Sequence, residues 1–195
     1  MTDVIRYLSH PQVNIDPAIP VPSWGLSPLG RARTEVFAKS GCLSDTAQII
    51  SSGEKKALET VDIIAEALNV QVEVREEMGE NDRYSTGFLA PDKFEALADQ
   101  FFAQPTVSVQ GWERAIDAQS RIVREIEHVL SRDRPGDMLF VGHGAVGTLL
   151  FCHYSGFAID RTYDQSAGSG HCFAFVKDGR QVLHPWRRME DLLRS

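Results

Sequence analysis

Two histidines stand just after short apolar runs, one near the start of the chain and one far downstream. His10 follows Val4–Leu8 and Ser9, and His143 follows Met138–Val141 and one glycine. Open α/β sheets bind their ligands at the carboxyl ends of the strands, so both imidazoles are expected at one edge of a sheet. Two imidazoles there suit phosphoryl transfer, in which one ring attacks phosphorus and the other binds phosphoryl oxygens.

Such a site also needs cationic donors for the phosphate oxygens and a separate acid for the leaving oxygen. We expect His10 to attack, and His143 to bind phosphate from a helix N-terminus, where backbone dipoles favour an anion. Lys56 lies near the start of the helix after the second strand and would supply positive charge. The acid is expected in the polar loop 75–90, where burial or a neighbouring phosphate could raise its pKa.

Length and charge narrow the class of protein. The 195 residues suit one compact domain over residues 1–195. The net charge of −7, without a basic run, argues against nucleic acid or an anionic membrane as the main partner. The expected partner is therefore a small phosphorylated substrate or another anionic ligand, and assembly into a homo-oligomer is left open.

The cysteines predict a reducing compartment. Cys42, Cys152 and Cys172 are odd in number and lack metal-type spacing, so we expect free thiols and no metal site. The first ten residues do not form a signal peptide, and no apolar run reaches the roughly eighteen residues of a membrane span. These features predict a cytoplasmic protein, and no cofactor is expected.

Alternating strand and helix patterns predict a three-layer α/β/α sandwich on a mainly parallel sheet. The predicted strands are Val4–Leu8, Ala47–Ser51, Val70–Val74 and Met138–Val141, followed by a hairpin of Cys172–Val176 and Gln181–Leu183. The predicted helices are Pro28–Lys39 with Ser27 as its cap, Gly53–Leu68, Pro91–Ala103, Val109–Leu130, Gly144–Tyr154 and a short tail helix, Trp186–Leu193.

Four segments resemble, in order, the motifs of the histidine phosphatase superfamily, which has the phosphoglycerate-mutase-like fold. Ser9-His10-Pro11 matches the family's Arg-His-Gly, and Leu26–Gly30 matches its Leu-Thr-x-x-Gly helix start. Ser51–Val61 is similar to Ser-Ser-Pro-x-x-Arg-Ala-x-x-Thr-Ala, and Val141–Val146 to the late strand with His-Gly. The resemblance spans nearly the whole chain and implies phosphomonoester hydrolysis, or phosphoryl transfer, through a phosphohistidine.

The resemblance also implies roles for individual residues. His10 would be the nucleophile, and Lys56, at the family's second arginine, would stabilise the transferring group together with His143. The family's acid comes from a Leu-x-Glu segment some twenty residues beyond the Ser-Ser motif. Glu80 in Met78-Gly79-Glu80 fits that spacing best, twenty residues after Thr60, and the neighbouring alternatives are Glu76 and Glu77.

Three departures from the family pattern bear on catalysis. Ser9 replaces a bidentate arginine at the phosphate-binding position, Lys56 keeps a charge but lacks the planar fork, and Pro11 removes a backbone N–H. Each lost charge-assisted contact is worth about 1.5–3 kcal/mol, or roughly one to two decades in binding or rate.

Another cation could replace the missing arginine. We favour Arg83, because it lies in a dense polar cluster of the loop that covers the site in this family. Lys55 and Arg6 are the alternatives, and strand alternation turns Arg6 away from the face of Tyr7. Two rivals to hydrolysis also stay open. One is a protein that binds a phosphorylated or anionic ligand without turnover, and the other is an enzyme for a less anionic substrate.

Overall fold

The computed structural model describes residues 2–132 and 134–194, and in these ranges six strands form one sheet. The sheet order is β3-β2-β4-β1-β5-β6, where β1 to β4 run parallel and β5 and β6 are antiparallel to their neighbours. The strands are β1 (Val4–Ser9), β2 (Thr46–Ser52), β3 (Val72–Arg75), β4 (Asp137–Gly142), β5 (His171–Val176) and β6 (Val182–Arg188).

Helices connect the strands and cover both faces of the sheet. They are α1 (Pro28–Lys39), α2 (Lys55–Leu68), α3 (Pro91–Ala103), α4 (Ala115–Leu130) and α5 (Gly144–Ser155). Short 3₁₀ turns lie at Val21–Ser23, Glu76–Met78, Val109–Gly111, Arg161–Tyr163 and Met189–Arg194. The start of α1 follows the predicted cap, since Ser27 accepts the backbone N–H of Gly30 at 3.1 Å and Pro28 opens the first turn.

The buried β4 strand shows how the two faces are packed. Leu139 and Val141 point into an apolar cluster with α1 and α2, while Met138 and Phe140 point into the cluster with α4 and α5. Such a strand, buried on both sides, reads as a continuous apolar run in the sequence. The predicted three-layer α/β/α sandwich is therefore confirmed.

Two predicted helices were wrong in part. The segment from Val109 is not a continuous helix to Leu130, because Gln110 and Gly111 adopt positive φ angles of 51° and 79° and interrupt it before α4 begins. The expected tail helix does not begin at Trp186.

Strand pairing explains the second error. The backbone of β6 continues to Arg188, which pairs with His171 of β5. Pro185 is tolerated within β6 because this strand forms the edge of the sheet. The 3₁₀ turn that follows begins only at Met189.

The strand registers bring the ends of three strands level. Ser9 of β1 pairs with Gly142 of β4, and Ser51 of β2 pairs with Val141 of β4. The residues that follow these strands therefore meet at one sheet edge, as open α/β folds require of a ligand site. Among the described residues, no helix has both the length and the apolar character to span a membrane.

Candidate active site

The central feature of the site is a row of side chains at the ends of β2, β4 and β1. Ser52 ends β2, His143 follows β4, and His10 follows β1. The two imidazole rings lie edge to face, with centroids 5.3 Å apart and planes inclined at 68°. The predicted meeting of His10 and His143 at one sheet edge is confirmed by this contact.

The geometry of His10 leaves one ring nitrogen free to attack. Its Nδ1 lies 2.8 Å from the carbonyl oxygen of Pro11, and a carbonyl can only accept, so the proton resides on Nδ1. The lone pair is therefore on Nε2. Burial and the charge of Lys56 lower the pKa of His10 to about 4, which keeps the ring neutral near pH 7. Pro11 lacks an N–H, but its carbonyl performs this orienting role.

His143 is fully buried and caps α5. Its Nε2 lies 2.8 Å from Oγ of Ser52, and its Nδ1 has no partner among the described residues. The Tyr7 hydroxyl accepts the backbone N–H of His143 at 3.1 Å and lies 3.3 Å from its carbonyl oxygen. A Cβ at Gly142 would lie 2.3 Å from that hydroxyl, so the position requires glycine. Burial lowers the pKa of His143 well below its usual value.

Lys56 is buried at the base of the site, where the sequence had predicted a cation. Its ammonium pairs with Glu54 and donates to the carbonyl oxygen of Val21 at 3.0 Å. Glu54 Oε1 also accepts the backbone N–H of Glu80 at 2.8 Å and lies 3.5 Å from Nε2 of His143. Burial opposes ionisation of Glu54, but His143 and Lys56 together lower its pKa to about 2.

Glu80 approaches the N-terminus of α5. Its carboxylate accepts the backbone N–H groups of Ala145 at 3.3 Å and Val146 at 3.1 Å. Burial, with a further contribution from the charge of Glu54, raises its pKa. A raised pKa is the property that a proton donor needs.

The alternative acids occupy different places. Glu77 is exposed and lies 3.8 Å from Arg124. The carboxylate of Glu76 packs over Gly53, where a Cβ would lie 2.5 Å from its oxygens. Of the three glutamates, Glu80 is the one joined to the helix that His143 caps.

Ser9 contacts a glutamine where the family motif carries an arginine. Its hydroxyl donates to Oε1 of Gln165 at 2.6 Å and accepts the backbone N–H of His171 at 3.0 Å. These bonds fix the carboxamide so that its nitrogen packs over Gly144, 2.4 Å from the position of a Cβ there. An amide N–H₂ group is thus directed to the start of α5, next to His143.

The three cations considered as replacements for that arginine lie in different places. The Arg83 guanidinium stacks on Phe94, 4.8 Å from the ring centroid, and lines a cavity beside the site. Lys55 lines the same cavity and lies 3.9 Å from Glu59. Arg6 instead pairs with Asp137 at 2.7 Å.

A cavity of about 870 Å³ opens beside Glu54 and Glu80. One wall is the segment 17–23, rich in proline, and the other belongs to loop 79–88, where Tyr84 and Phe88 expose apolar surface. Asn81 also lines the cavity; it is 5% exposed, and its Nδ2 lacks a partner in the described parts of the chain. A buried amide without an acceptor is costly, so this nitrogen is well placed to donate to a ligand.

Glu54, Gln165 and Asn81 were not recognised as site residues from the sequence. Glu54 had one usable signal, because it stands between Ser52 and Lys56 of a recognised motif. Asn81 follows the predicted acid, whereas Gln165 is distant in sequence from every motif. Within residues 2–132 and 134–194, no group of three His, Cys, Asp or Glu side chains is arranged to hold a metal ion.

Residues 20–185 match the family model of the histidine phosphatase superfamily (branch 1). The matched range includes Lys56, Glu80 and His143, and it begins after His10. No curated protein matched the chain when sequences were compared.

Solved structures share the fold at low sequence identity. A Bacillus stearothermophilus protein, YhfR, has a TM-score of 0.78 and 20% identity, covering 94% of this chain and 95% of its own. A mycobacterial glucosyl-3-phosphoglycerate phosphatase has a TM-score of 0.73 and 17% identity, with coverages of 96% and 97%. An Entamoeba histolytica phosphoserine phosphatase, in complex with 3-phosphoglyceric acid, has a TM-score of 0.76 and 13% identity, with coverages of 97% and 99%.

Proposed function

Because this chain belongs to the histidine phosphatase superfamily, we propose that it hydrolyses phosphomonoesters through a phosphohistidine at His10. The observation that carries the proposal is the hydrogen bond of 2.8 Å between Nδ1 of His10 and the carbonyl of Pro11, which leaves Nε2 unprotonated. The lowered pKa of the ring, about 4, keeps this nucleophile available near neutral pH. The similarity to phosphatases of the same fold supports the same class of reaction.

The reaction has two steps. Nε2 of His10 attacks phosphorus, the bond from phosphorus to the leaving oxygen breaks, and protonated Glu80 gives its proton to that oxygen. Water then attacks the phosphohistidine, the N–P bond breaks, and the Glu80 carboxylate takes the proton from water. Glu80 suits the first step because burial raises its pKa, which favours the protonated form that can donate to the leaving oxygen.

Neutral and cationic donors would hold the phosphoryl oxygens. Lys56 and the buried His143 supply them from one side, and the Gln165 amide, fixed by Ser9, supplies a neutral donor from the other. Arg83 would add charge from the rim of the cavity. The site therefore carries less positive charge than the two-arginine pattern that the sequence resembles.

The cavity would accept the leaving group of the substrate. Its volume of about 870 Å³ lies in the range of small-molecule sites. The walls formed by segment 17–23, Tyr84 and Phe88 favour an apolar or aromatic body. The free amide nitrogen of Asn81 would donate to an oxygen of the ester. The proposed substrates are therefore phosphomonoesters with a sizeable, largely apolar leaving group.

A second candidate function is binding of a phosphorylated or anionic ligand without turnover. It is favoured by the ion pair between Lys56 and Glu54, which neutralises the buried cation, and by the absence of an arginine at position 9. The two functions differ in one outcome, since only the hydrolase releases phosphate.

Phosphate release from a series of phosphomonoesters tests the proposal. Alkyl and aryl phosphates of increasing size should give rising kcat/KM, and His10→Ala should abolish release from all of them. Turnover that survives in His10→Ala would contradict the phosphohistidine route. If the unaltered protein binds these esters but releases no phosphate from any of them, the second function is correct.

A further inference from the structure

The carboxylate of Glu54 lies among the groups to which the proposed function assigns the phosphoryl oxygens, Lys56 and His143. Oε2 pairs with the Lys56 ammonium, and Oε1 accepts the backbone N–H of Glu80 and lies 3.5 Å from Nε2 of His143. Lys56, the buried cation of the site, is only 3% exposed. An anion of this chain is therefore already paired with the cation that would bind an anion of the substrate, and it lies close to His143.

The Glu54 carboxylate stays ionised near neutral pH, because its burial is outweighed by the contacts with Lys56 and the N–H of Glu80 and its pKa is lowered to about 2. Two anions cannot share these donors at close range without repulsion. An incoming phosphoryl group must therefore displace the carboxylate. The free energy needed to displace the carboxylate weakens the binding of every phosphorylated ligand.

We infer that Glu54 is a specificity-determining residue, an internal anion that a phosphoryl group must displace from Lys56 and His143. This inference rests on the proposed function, since it assumes that the transferring group lies between the histidines. Inorganic phosphate and small phosphomonoesters make few contacts outside the phosphoryl site with which to offset the cost of this displacement, so they bind weakly. An ester whose leaving group fills the adjacent cavity can offset it, because remote binding energy can offset a cost at the reacting centre.

The cavity is physically joined to the internal anion. Lys56 donates to the carbonyl of Val21, which belongs to the apolar wall, and Glu54 accepts the N–H of Glu80, which belongs to the opposite wall. A leaving group between the walls thus contacts the segments that hold the Glu54 pair. The site selects esters of large leaving groups over free phosphate, which reduces inhibition by the product.

Binding of inorganic phosphate, measured by calorimetry, tests the inference without requiring turnover. Glu54→Gln should bind phosphate about ten- to one-hundredfold more tightly than the unaltered protein, the value of one charge-assisted contact. The matched control is Glu76→Gln, which removes a carboxylate from the same cavity but none from Lys56 or His143. Its phosphate affinity should change by less than about threefold.

Glu54→Ala provides a second measurement if Glu54→Gln folds poorly. In Glu54→Ala, acetate should compete with phosphate, because it refills the position of the lost carboxylate, and in the unaltered protein it should not. Equal gains in Glu54→Gln and Glu76→Gln would overturn the inference, as would no gain in Glu54→Gln.

The outcomes separate this inference from the proposed function. If Glu54→Gln binds phosphate more tightly but the unaltered protein hydrolyses no ester, the inference about Glu54 is supported and the proposed hydrolase function is rejected. If the protein hydrolyses esters through His10 but Glu54→Gln does not bind phosphate more tightly, the proposed function is supported and the inference about Glu54 is rejected.

Discussion

The backbone N–H of Glu80 donates to Oε1 of Glu54 at 2.8 Å, which holds together two glutamates whose carboxyl groups have pKa values shifted in opposite directions. Glu54 has a pKa lowered to about 2 by His143 and Lys56 despite its burial, whereas burial raises the pKa of Glu80. Paired titratable groups with divergent pKa values commonly divide catalytic roles between them. In the proposed mechanism, Glu54 stays an anion and Glu80 donates the proton.

The pH dependence of kcat/KM should therefore be bell-shaped, with one limb set by His10 and the other by Glu80. As pH falls through the His10 pKa of about 4, the nucleophile gains a proton and the rate falls. As pH rises through the raised pKa of Glu80, the acid loses its proton and the rate falls again. A rate that increases steadily from pH 5 to pH 9 would contradict these assignments.

Glu80→Gln should lower kcat about 10²- to 10⁴-fold for alkyl phosphates, the usual value of general acid catalysis. The loss should be smaller for aryl phosphates, whose leaving oxygens need less help from a proton. The ratio of the loss for alkyl phosphates to the loss for aryl phosphates therefore measures proton donation by Glu80. The exposed Glu77 offers a control, and Glu77→Gln should leave both rates nearly unchanged.

Ser9 should act through Gln165. Ser9→Ala and Gln165→Met are each expected to raise KM by about tenfold, since each removes or misdirects the amide donor at the start of α5. The double variant should be no worse than either single one, because both changes remove the same contact. If the double variant instead raised KM by the product of the two single increases, the two side chains would act independently.

Ser9 also has a structural role, which a stability measurement isolates. Ser9→Ala leaves the buried N–H of His171 without its acceptor and should lower the free energy of unfolding by about 1–3 kcal/mol. Gln165→Met keeps that acceptor and should cost less. Denaturant unfolding of the two variants measures the difference, and equal losses would contradict it.

Asn81 should bind the substrate rather than stabilise the fold. Its Nδ2 has no acceptor in the described parts of the chain, so Asn81→Ala removes no hydrogen bond of that nitrogen. We expect KM to rise about five- to tenfold while the free energy of unfolding changes by less than about 1 kcal/mol. Unchanged KM values across the series of esters would exclude the role.

Lys56 and Glu54 should depend on each other for stability. Lys56→Met leaves the Glu54 carboxylate partly buried without its ammonium and should cost about 3 kcal/mol. Adding Glu54→Gln should recover part of the loss, because no unpaired charge then remains. Chemical denaturation of the two single variants and the double variant measures this coupling. A double variant as unstable as the sum of the single variants would contradict it.

The fold was predictable because its signals are local and repeated. Met138–Val141 is apolar throughout, as a strand covered on both faces must be, and Ser27-Pro28 marks the start of α1. The errors arose where long-range pairing decides the conformation. Arg188 is in a strand because His171 pairs with it, and no local pattern contains that partner.

From the sequence, only the residues of the candidate site that lie in recognised motifs could be predicted. His10 and His143 follow strands, so their meeting follows from the parallel sheet itself. Gln165 and Asn81 come from connecting segments, whose path is set by tertiary contacts rather than by periodicity. The direction of the Glu54 carboxylate likewise depends on its tertiary contacts with Lys56 and Glu80.

The most direct test of the central claim is to trap the covalent intermediate. The protein is mixed with an ester that it hydrolyses and whose phosphoryl group is labelled. The reaction is quenched in alkali within one turnover, and the protein is digested for mass spectrometry. The account predicts one acid-labile phosphoryl group on Nε2 of His10, absent from His10→Ala. Turnover without a label on His10, or with the label on another residue, would contradict it.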